Sequence, residues 1–215
     1  MIVYAIPGLG TTKELYINTY FKNHQLVVLD WPEPSEKDDM RSYAAKFISQ
    51  INTKEPFALL GVSFGGMLCV ELSKIICPQK VILISTSKTR LELPWFIRLM
   101  KYMPLHKIIN EQYHRKMAYH GRWFIGFGSA YIPEFLGMVD SMQQNYFRHC
   151  IHIICTWNNI ELPNNYYHIH GTNDRLLSHK NVKANTLVRD GSHAMVVFNA
   201  DEINALIENQ LSRFL

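Results

Sequence analysis

The sequence has no long apolar run. Its uninterrupted apolar stretches, such as Val81 to Ile84, span only a handful of residues, whereas a helix that crosses a bilayer needs roughly 20. The apolar segment Met1 to Ile6 has no basic residues before it and is followed directly by Pro7 and Gly8, unlike a secretory signal. These features predict a cytoplasmic protein with no transmembrane helix.

Cysteine and charge are also scarce. The four cysteines, at positions 69, 77, 150 and 155, lack the close pairing of zinc ribbons and small disulfide scaffolds, so we expect reduced, buried thiols. Charged residues make up 19% of the 215 positions and hydrophobic residues 47%, which excludes a disordered chain. Because there is no repeat, low-complexity tract or Gly/Ser linker, the sequence predicts a single domain over residues 1–215.

The net charge of +4 is too small for the basic stripe of a nucleic-acid-binding protein. This charge is concentrated, because nine Lys or Arg and four Asp or Glu lie between residues 88 and 150, against 13 and 14 in the rest of the chain. The positive segment favours an anionic partner. A carboxylate-tipped substrate, an acidic acyl carrier and an anionic membrane surface are the alternatives to a merely solvated face.

Short β-branched runs alternate with helical patterns along most of the chain. The predicted strands are Ile2–Ile6, Leu26–Asp30, Phe57–Val62, Val81–Ser85, Tyr166–His170 and Thr186–Val188. The predicted helices are Glu36–Ile51, Gly65–Ile76 and Asn199–Phe214, with Ser35 and Asn199 as N-caps of the first and last. Near-continuous apolar strands between helices predict a mostly parallel α/β sheet with helices on both faces.

This alternation stops between residues 88 and 150. Three prolines, at 94, 104 and 133, divide this segment into short amphipathic helices rich in aromatic residues and methionine. We interpret it as a helical lid inserted into a core formed by residues 1–87 and 151–215.

A nucleophile motif stands at the end of the third predicted strand. Gly61-Val62-Ser63-Phe64-Gly65 matches G-x-S-x-G and leads directly into a helical pattern. Small residues two positions either side of the serine are needed because the sharp turn brings the strand and helix backbones close together.

A serine hydroxyl needs a base and an acid that orients the base. His193 follows the last predicted strand, and Asp174 follows the strand before it, each in a loop. Both loops lie beyond the carboxyl ends of parallel strands, where open α/β sheets carry their functional groups. The order Ser, Asp, His is that of the α/β-hydrolases.

With these motifs, the chain resembles the α/β-hydrolase superfamily outside residues 88–150. The resemblance implies that Ser63 is the nucleophile, that His193 is general base and then acid, and that Asp174 orients the imidazole. It also implies an oxyanion hole formed by the amides of Phe64 and Leu9, the latter in Pro7-Gly8-Leu9-Gly10, where relatives commonly have His-Gly-x-Gly. Relatives often carry two extra strands before the strand that ends in this loop, so a trimmed sheet of about six strands is expected.

Several other patterns carry weaker signals. Within the lid, Trp95, Met100, Trp123 and Phe127 are candidates for an acyl pocket above the serine, although aromatic residues there pack a lid equally well. The four residues His149, Cys150, His152 and Cys155 do not have the spacing of a metal site. His168 and His170 share one side of a strand, and we interpret His168 as a satisfied core or surface histidine rather than a ligand.

The expected activity is hydrolysis of a carboxylic ester or thioester through an acyl-enzyme on Ser63, without a cofactor or metal. The chain is similar to small carboxylesterases, including methyl-ester hydrolases that act on carrier-bound groups. Two alternatives remain at this point: carbon–carbon bond hydrolysis or lyase chemistry on the same three residues, and a non-catalytic ligand-binding role on this fold.

Overall fold

The computed structural model describes residues 1–102 and 113–212. Within them, six strands form one sheet in the order β2-β1-β3-β4-β5-β6, and every neighbouring pair is parallel. The strands are β1 Ile2–Ile6, β2 Gln25–Val28, β3 Phe57–Val62, β4 Lys80–Ile84, β5 Tyr166–Gly171 and β6 Thr186–Val188. The predicted six-stranded parallel sheet is therefore confirmed.

Helices connect the strands and cover the sheet. The α-helices of the described residues are α1 Met40–Ala45, α2 Phe64–Leu72, α3 Trp95–Leu99, α4 His114–Ile125, α5 Ile132–Asp140, α6 Tyr146–Thr156, α7 Met195–Phe198 and α8 Ala200–Leu211. Short 3-10 helices span Lys13–Tyr16, Lys46–Gln50, Arg90–Glu92, Ser129–Tyr131 and His179–Asn181.

Each face of the sheet has its own hydrophobic core. Along β1, Tyr4 and Ile6 pack into one core with α1, α2 and α6, while Val3 and Ala5 pack into the other with α5, α7 and α8. Alternate residues of a strand point to opposite faces, so strands that are buried on both faces must be apolar throughout. Helices on both faces are thus confirmed.

The first helix differs from its prediction. It begins at Met40 rather than Glu36, and Asp39 replaces Ser35 as the N-cap. The Asp39 side chain accepts a hydrogen bond from the Ser42 amide at 2.7 Å, and the Ser42 hydroxyl accepts one from the Asp39 amide at 2.9 Å. This reciprocal capping box satisfies amides that a start at Glu36 would leave without these partners.

The segment between β4 and β5 contains α3 to α6. Pro94 immediately precedes α3, and Pro133 lies in the first turn of α5, where a missing amide proton costs nothing. Pro104 and Lys107 lie outside the described residues, as does Phe214, the predicted end of the last helix. Helix α6 runs across residue 150, and the division into core and lid stays a prediction.

One basic residue of the positive segment between residues 88 and 150 is not at the surface. The Lys88 side chain is 1% exposed and forms an ion pair with Glu92. No helix in the part of the chain that the structure describes is long and apolar enough to cross a membrane.

Candidate functional site

Ser63 lies in a strained turn between β3 and α2. Its backbone angles are φ 54° and ψ −118°, a combination that non-glycine residues rarely adopt. The turn brings backbones together, because a Cβ atom on Gly65 would lie 2.2 Å from the carbonyl oxygen of Ile6, and one on Gly61 would lie 2.5 Å from that of Gly65. The glycines that the motif requires are therefore explained by close approach.

The structure brings Ser63, His193 and Asp174 together in one hydrogen-bonded chain. The Ser63 hydroxyl oxygen lies 2.9 Å from His193 Nε2, and His193 Nδ1 lies 2.8 Å from Asp174 Oδ2. Asp174 and His193 are both 5% exposed. Because a carboxylate only accepts, it selects the imidazole tautomer with the proton on Nδ1 and leaves Nε2 free to accept the serine proton.

Hydrogen bonds surround the Asp174 carboxylate. Its Oδ1 accepts from the amides of Leu176 and Leu177, at 3.0 and 2.8 Å, and its Oδ2 lies 3.3 Å from His170 Nε2. Burial acts to raise the pKa of Asp174, but the charge of His193 and the hydrogen bonds from His170, His193 and Leu177 outweigh it and hold that pKa below its ordinary value. The carboxylate therefore stays ionised.

The two loops that carry the acid and the histidine are joined through their backbones. The Thr172 amide donates to the Val188 carbonyl, and the Asn173 amide donates to the Gly191 carbonyl, both at 2.9 Å. A Cβ atom on Gly171 would lie 2.1 Å from the Gly191 oxygen, so the loops are in direct contact. This contact sets the distance between the acid and the imidazole.

The loop after β1 lies against the serine. A Cβ atom on Gly8 would lie 3.6 Å from Ser63 Cβ, and the Thr11 hydroxyl and amide both donate to the Gly8 carbonyl, at 2.8 and 3.0 Å. Leu9 lines the same cavity as Ser63. The amide of Leu9 stays our candidate for the first oxyanion donor.

The position of Phe64 is fixed by the packing of its aromatic ring. Its side chain is 1% exposed and stacks on Trp31 and Tyr43, with ring centroids 5.7 and 6.2 Å apart and interplanar angles of 9° and 8°. The anchored ring holds the first turn of α2 in place. The amide of Phe64 stays our candidate for the second oxyanion donor.

A cavity of about 430 Å³ opens beside the Ser63 hydroxyl. Its walls come from the oxyanion loop, the strand and helix around Ser63, and the helices between β4 and β5, with lining residues that include Met67, Ile97, Ile125 and Phe135. No Lys, Arg, Asp or Glu of residues 1–102 and 113–212 lines it. The cavity can therefore hold an apolar group next to the serine.

The four predicted pocket residues divide into two pairs. Met100 and Phe127 line the cavity. Trp95 and Trp123 lie outside its lining and are 69% and 59% exposed. Trp123 instead stacks with the Arg175 guanidinium, 4.0 Å from its ring centre. Their helices turn these two side chains towards solvent, which the aromatic composition of the segment does not reveal.

Two buried histidines behind the acid were not predicted to take part in the site. His168 and His170 are both 0% exposed, and His170 contacts Asp174 directly. Their alternation on a strand that ends three residues before Asp174 was the available signal. His168 has polar partners on both sides that the sequence could not identify, with Lys88 at 2.9 Å and His170 at 3.2 Å.

His149 and Cys150, considered above as metal ligands, serve packing in α6. His149 Nδ1 donates to the Pro34 carbonyl at 3.1 Å, and Cys150 is buried in the core. No group of three or more His, Cys, Asp or Glu side chains in the described ranges is arranged around a common metal position.

No protein-family model matches the sequence, and no curated protein matches it. Solved structures do match. MenH from S. aureus has a TM-score of 0.73 at 14% identity, covering 99% of this chain and 94% of that one. A thermophilic esterase from Thermogutta terrifontis has a TM-score of 0.69 at 10% identity, covering 99% and 90%. The chain has the α/β-hydrolase fold.

A third solved structure is similar over the full length of this chain. A meta-cleavage product hydrolase from Pseudomonas fluorescens IP01 has a TM-score of 0.68 at 14% identity, covering 100% of this chain and 92% of that one. At such low identity the likeness concerns the fold, and an α/β-hydrolase fold hosts many reactions. The choice of reaction must come from the site.

Proposed function

We propose that this protein hydrolyses a carboxylic ester or thioester through an acyl-enzyme on Ser63. The observation that carries the proposal is the hydrogen-bonded chain Ser63–His193–Asp174, with distances of 2.9 and 2.8 Å, at a strained turn beside an apolar cavity. A neutral imidazole in this position removes the serine proton as the hydroxyl attacks a carbonyl carbon.

The first half of the reaction forms the acyl-enzyme. Ser63 Oγ bonds to the carbonyl carbon, its proton moves to His193 Nε2, and the carbonyl oxygen becomes an oxyanion. The amides of Leu9 and Phe64 are proposed to stabilise this oxyanion, each contributing about 3 kcal/mol by the usual effect of removing one donor. Protonated His193 then gives its proton to the leaving alcohol or thiol.

The second half releases the acid. A water molecule loses a proton to His193 and attacks the acyl carbon, and Ser63 Oγ leaves with the proton that His193 returns. Asp174 keeps its charge throughout and stabilises the imidazolium of both half-reactions. Its four donors hold it in place for this role.

The cavity indicates the substrate class. At roughly 30 Å³ for each group the size of a water molecule, a volume of about 430 Å³ corresponds to about 14 such groups. Since burying an uncompensated charge is costly, the lack of Lys, Arg, Asp and Glu among the described lining residues favours an unbranched or lightly branched apolar acyl group of medium length. A carboxylate-tipped acyl chain is disfavoured inside it.

The first test is covalent labelling. A fluorophosphonate probe should label the wild-type protein and the Ser49→Ala variant, whose altered serine is exposed and does not line the cavity, and should not label Ser63→Ala. Asp174→Asn should be labelled at least 100-fold more slowly, because the amide no longer selects the productive tautomer. Equal labelling of wild type and Ser63→Ala would contradict the proposal.

The second test is a substrate series. With p-nitrophenyl esters from acetate to palmitate, kcat/KM should rise to about eight carbons and fall beyond about twelve, since the cavity volume limits the chain. A p-nitrophenyl half-ester of a dicarboxylic acid of equal length should react at least tenfold more slowly than the alkanoate. No turnover across the series would overturn the proposal.

Carbon–carbon bond hydrolysis on the same residues is the alternative reaction. The fold does not choose between the two, because the similar structures include both an esterase and a meta-cleavage product hydrolase. Turnover of a 1,3-diketone without turnover of any ester in the series would establish the alternative.

A further inference from the structure

Lys88 is a buried lysine with three polar partners. Its Nζ atom lies 2.8 Å from Glu92 Oε1, 3.1 Å from the Lys183 carbonyl oxygen and 2.9 Å from His168 Nδ1. An ammonium group has three N–H donors and cannot accept. The three partners therefore match its three protons, and His168 Nδ1 must be an unprotonated acceptor.

This contact defines the proton position on His168. With Nδ1 accepting, the ring proton of the neutral imidazole lies on Nε2, which is 3.2 Å from His170 Nδ1. His168 therefore donates to His170. The two rings are nearly perpendicular, at 82° with centroids 5.2 Å apart, so this nitrogen-to-nitrogen contact is a hydrogen bond rather than ring stacking.

The hydrogen bonds of His170, at the other end of this series of side chains, require the same donor-to-acceptor direction. His170 Nε2 lies 2.7 Å from the Leu177 carbonyl oxygen and 3.3 Å from Asp174 Oδ2. Both oxygens are acceptors, so Nε2 carries the proton and Nδ1 accepts from His168. The hydrogen-bond direction derived from Lys88 and the one derived from Leu177 agree at the contact between the two histidines.

The charges around the chain support this assignment. Burial, the charge of Lys88 and the neighbouring His170 together lower the pKa of His168 well below its ordinary value, which keeps the ring neutral. Burial also lowers the pKa of Lys88, while the hydrogen bond and charge of Glu92 oppose this shift.

The groups that face Lys88 and His170, and the His193 ring beyond Asp174, come from four parts of the fold. Glu92 faces Lys88 from the 3-10 helix after β4, and the Tyr166 ring on β5 lies 5.7 Å from Lys88 Nζ. Asp174 faces His170 from the loop after β5, and His193 approaches Asp174 from the loop after β6.

We propose that Lys88, His168 and His170 form a buried relay of positioning residues that orients the Asp174 carboxylate towards His193. The inference rests on the proposed function for its kinetic consequence. Lys88 fixes the tautomer of His168, His168 fixes that of His170, and His170 directs one N–H at Asp174 Oδ2 and the Leu177 carbonyl. No residue of the relay lines the cavity, so the relay acts on the acid and not on substrate.

The kinetic test compares two replacements of His170. In His170→Phe, Asp174 loses a donor, so kcat should fall about tenfold, as expected for a lost hydrogen bond to a charged group. The acid limb of kcat/KM should move to higher pH by about half a unit, because the less neutralised carboxylate favours protonated His193. KM should stay within twofold, and His170→Gln, which restores a donor, should recover most of kcat.

Lys88 is tested with its ion-pair partner. The double variant Lys88→Met/Glu92→Gln removes both charges together, which avoids leaving a buried charge unpaired. It should move the acid limb in the same direction by a smaller amount. Lys80→Met is the matched control, since Lys80 is also buried but begins β4, and its acid limb should coincide with that of the wild type.

A spectroscopic test is independent of catalysis. In ¹⁵N-histidine-labelled protein, the resonances of His168 and His170, assigned from their variants, should both report a proton on Nε2 and an unprotonated Nδ1. The double variant should lose this single tautomer at His168, and Lys80→Met should retain it.

The outcomes separate the relay from the proposed function. Nε2 tautomers in a protein without esterase activity would retain the relay geometry and reject the function. A proton on Nδ1 of either histidine, or wild-type kcat and pH profile in His170→Phe, would overturn the relay. An equal loss of kcat in His170→Phe and His170→Gln, accompanied by a change in KM, would also overturn the relay. It would show that His170 acts only through packing.

Discussion

At the scale of single residues, glycine at the turn around Ser63 is required by space. Gly65 lies in α2, where alanine would ordinarily be the better helix former, but a Cβ atom there would lie 2.2 and 2.3 Å from the carbonyl oxygens of Ile6 and Pro7. Backbone atoms cannot move aside as a flexible side chain can. The contact between β1 and α2 therefore determines the residue.

Alanine substitution at two helical glycines should give opposite results. Gly65→Ala should lower the free energy of unfolding by about 2–3 kcal/mol, through overpacking against backbone, and should slow fluorophosphonate labelling. Gly137→Ala is the control, because Gly137 lies in α5 with nothing within 4 Å of its added Cβ, and it should raise stability by about 0.5–1 kcal/mol. Urea denaturation measures both.

A stabilised Gly65→Ala variant with normal labelling would contradict the close approach of β1 and α2. The same result would remove the spatial explanation for the second glycine of the nucleophile motif.

At the scale of elements, the strands were easier to predict than the helix ends. Strands β1, β3 and β6 have the predicted bounds, and the other three are displaced by one or two residues. Burial on both faces makes each strand a short apolar run that is visible in the sequence. The start of α1 depends instead on which of several capping residues finds a partner three positions on, and Asp39 with Ser42 replaced the predicted Ser35.

Removing the two candidate caps should distinguish them. Asp39→Ala should lower the free energy of unfolding by about 1 kcal/mol, because the Ser42 amide loses its acceptor. Ser35→Ala should change it by less than about 0.5 kcal/mol, since Ser35 does not cap the helix. Thermal and urea denaturation of both variants provide the measurement, and a larger loss in Ser35→Ala would show that the helix begins earlier.

At the scale of the whole molecule, the fold keeps a histidine neutral in its interior. Burial first, and then the charge of Lys88 and the neighbouring His170, lower the pKa of His168. Below about pH 6.5 this histidine takes up a proton in the unfolded chain but not in the folded one. Stability must therefore fall as the pH falls below the unfolded value.

Between pH 7 and pH 5 this difference should reduce the free energy of unfolding by up to about 2 kcal/mol. The His168→Gln variant should lose that share of the pH dependence, whatever its stability at pH 7. His120→Gln, at an exposed histidine of α4, should retain it. Asp174 acts at lower pH, because its folded pKa lies below the ordinary value. Urea denaturation of the wild type and the two variants at several pH values provides the measurement. An equal pH dependence of the free energy of unfolding in all three proteins would disprove the assignment.

The sequence by itself determined the parallel sheet, the turn around Ser63 and the chain order Ser63, Asp174, His193. These features depend on neighbours in the chain: short apolar runs for the strands, glycines two residues from a serine, and loops that directly follow strands. Such local patterns are visible in the amino-acid sequence alone.

Only the tertiary structure decided the surroundings of the site. Lys88 belongs by composition to a positive segment, yet it is buried against His168, 80 residues away in the chain. Trp95 and Trp123 face solvent, while Met100 and Phe127 line a cavity whose described walls contain no Lys, Arg, Asp or Glu. Each of these outcomes depends on which distant elements pack together, because burial and hydrogen-bond partners are properties of the folded arrangement.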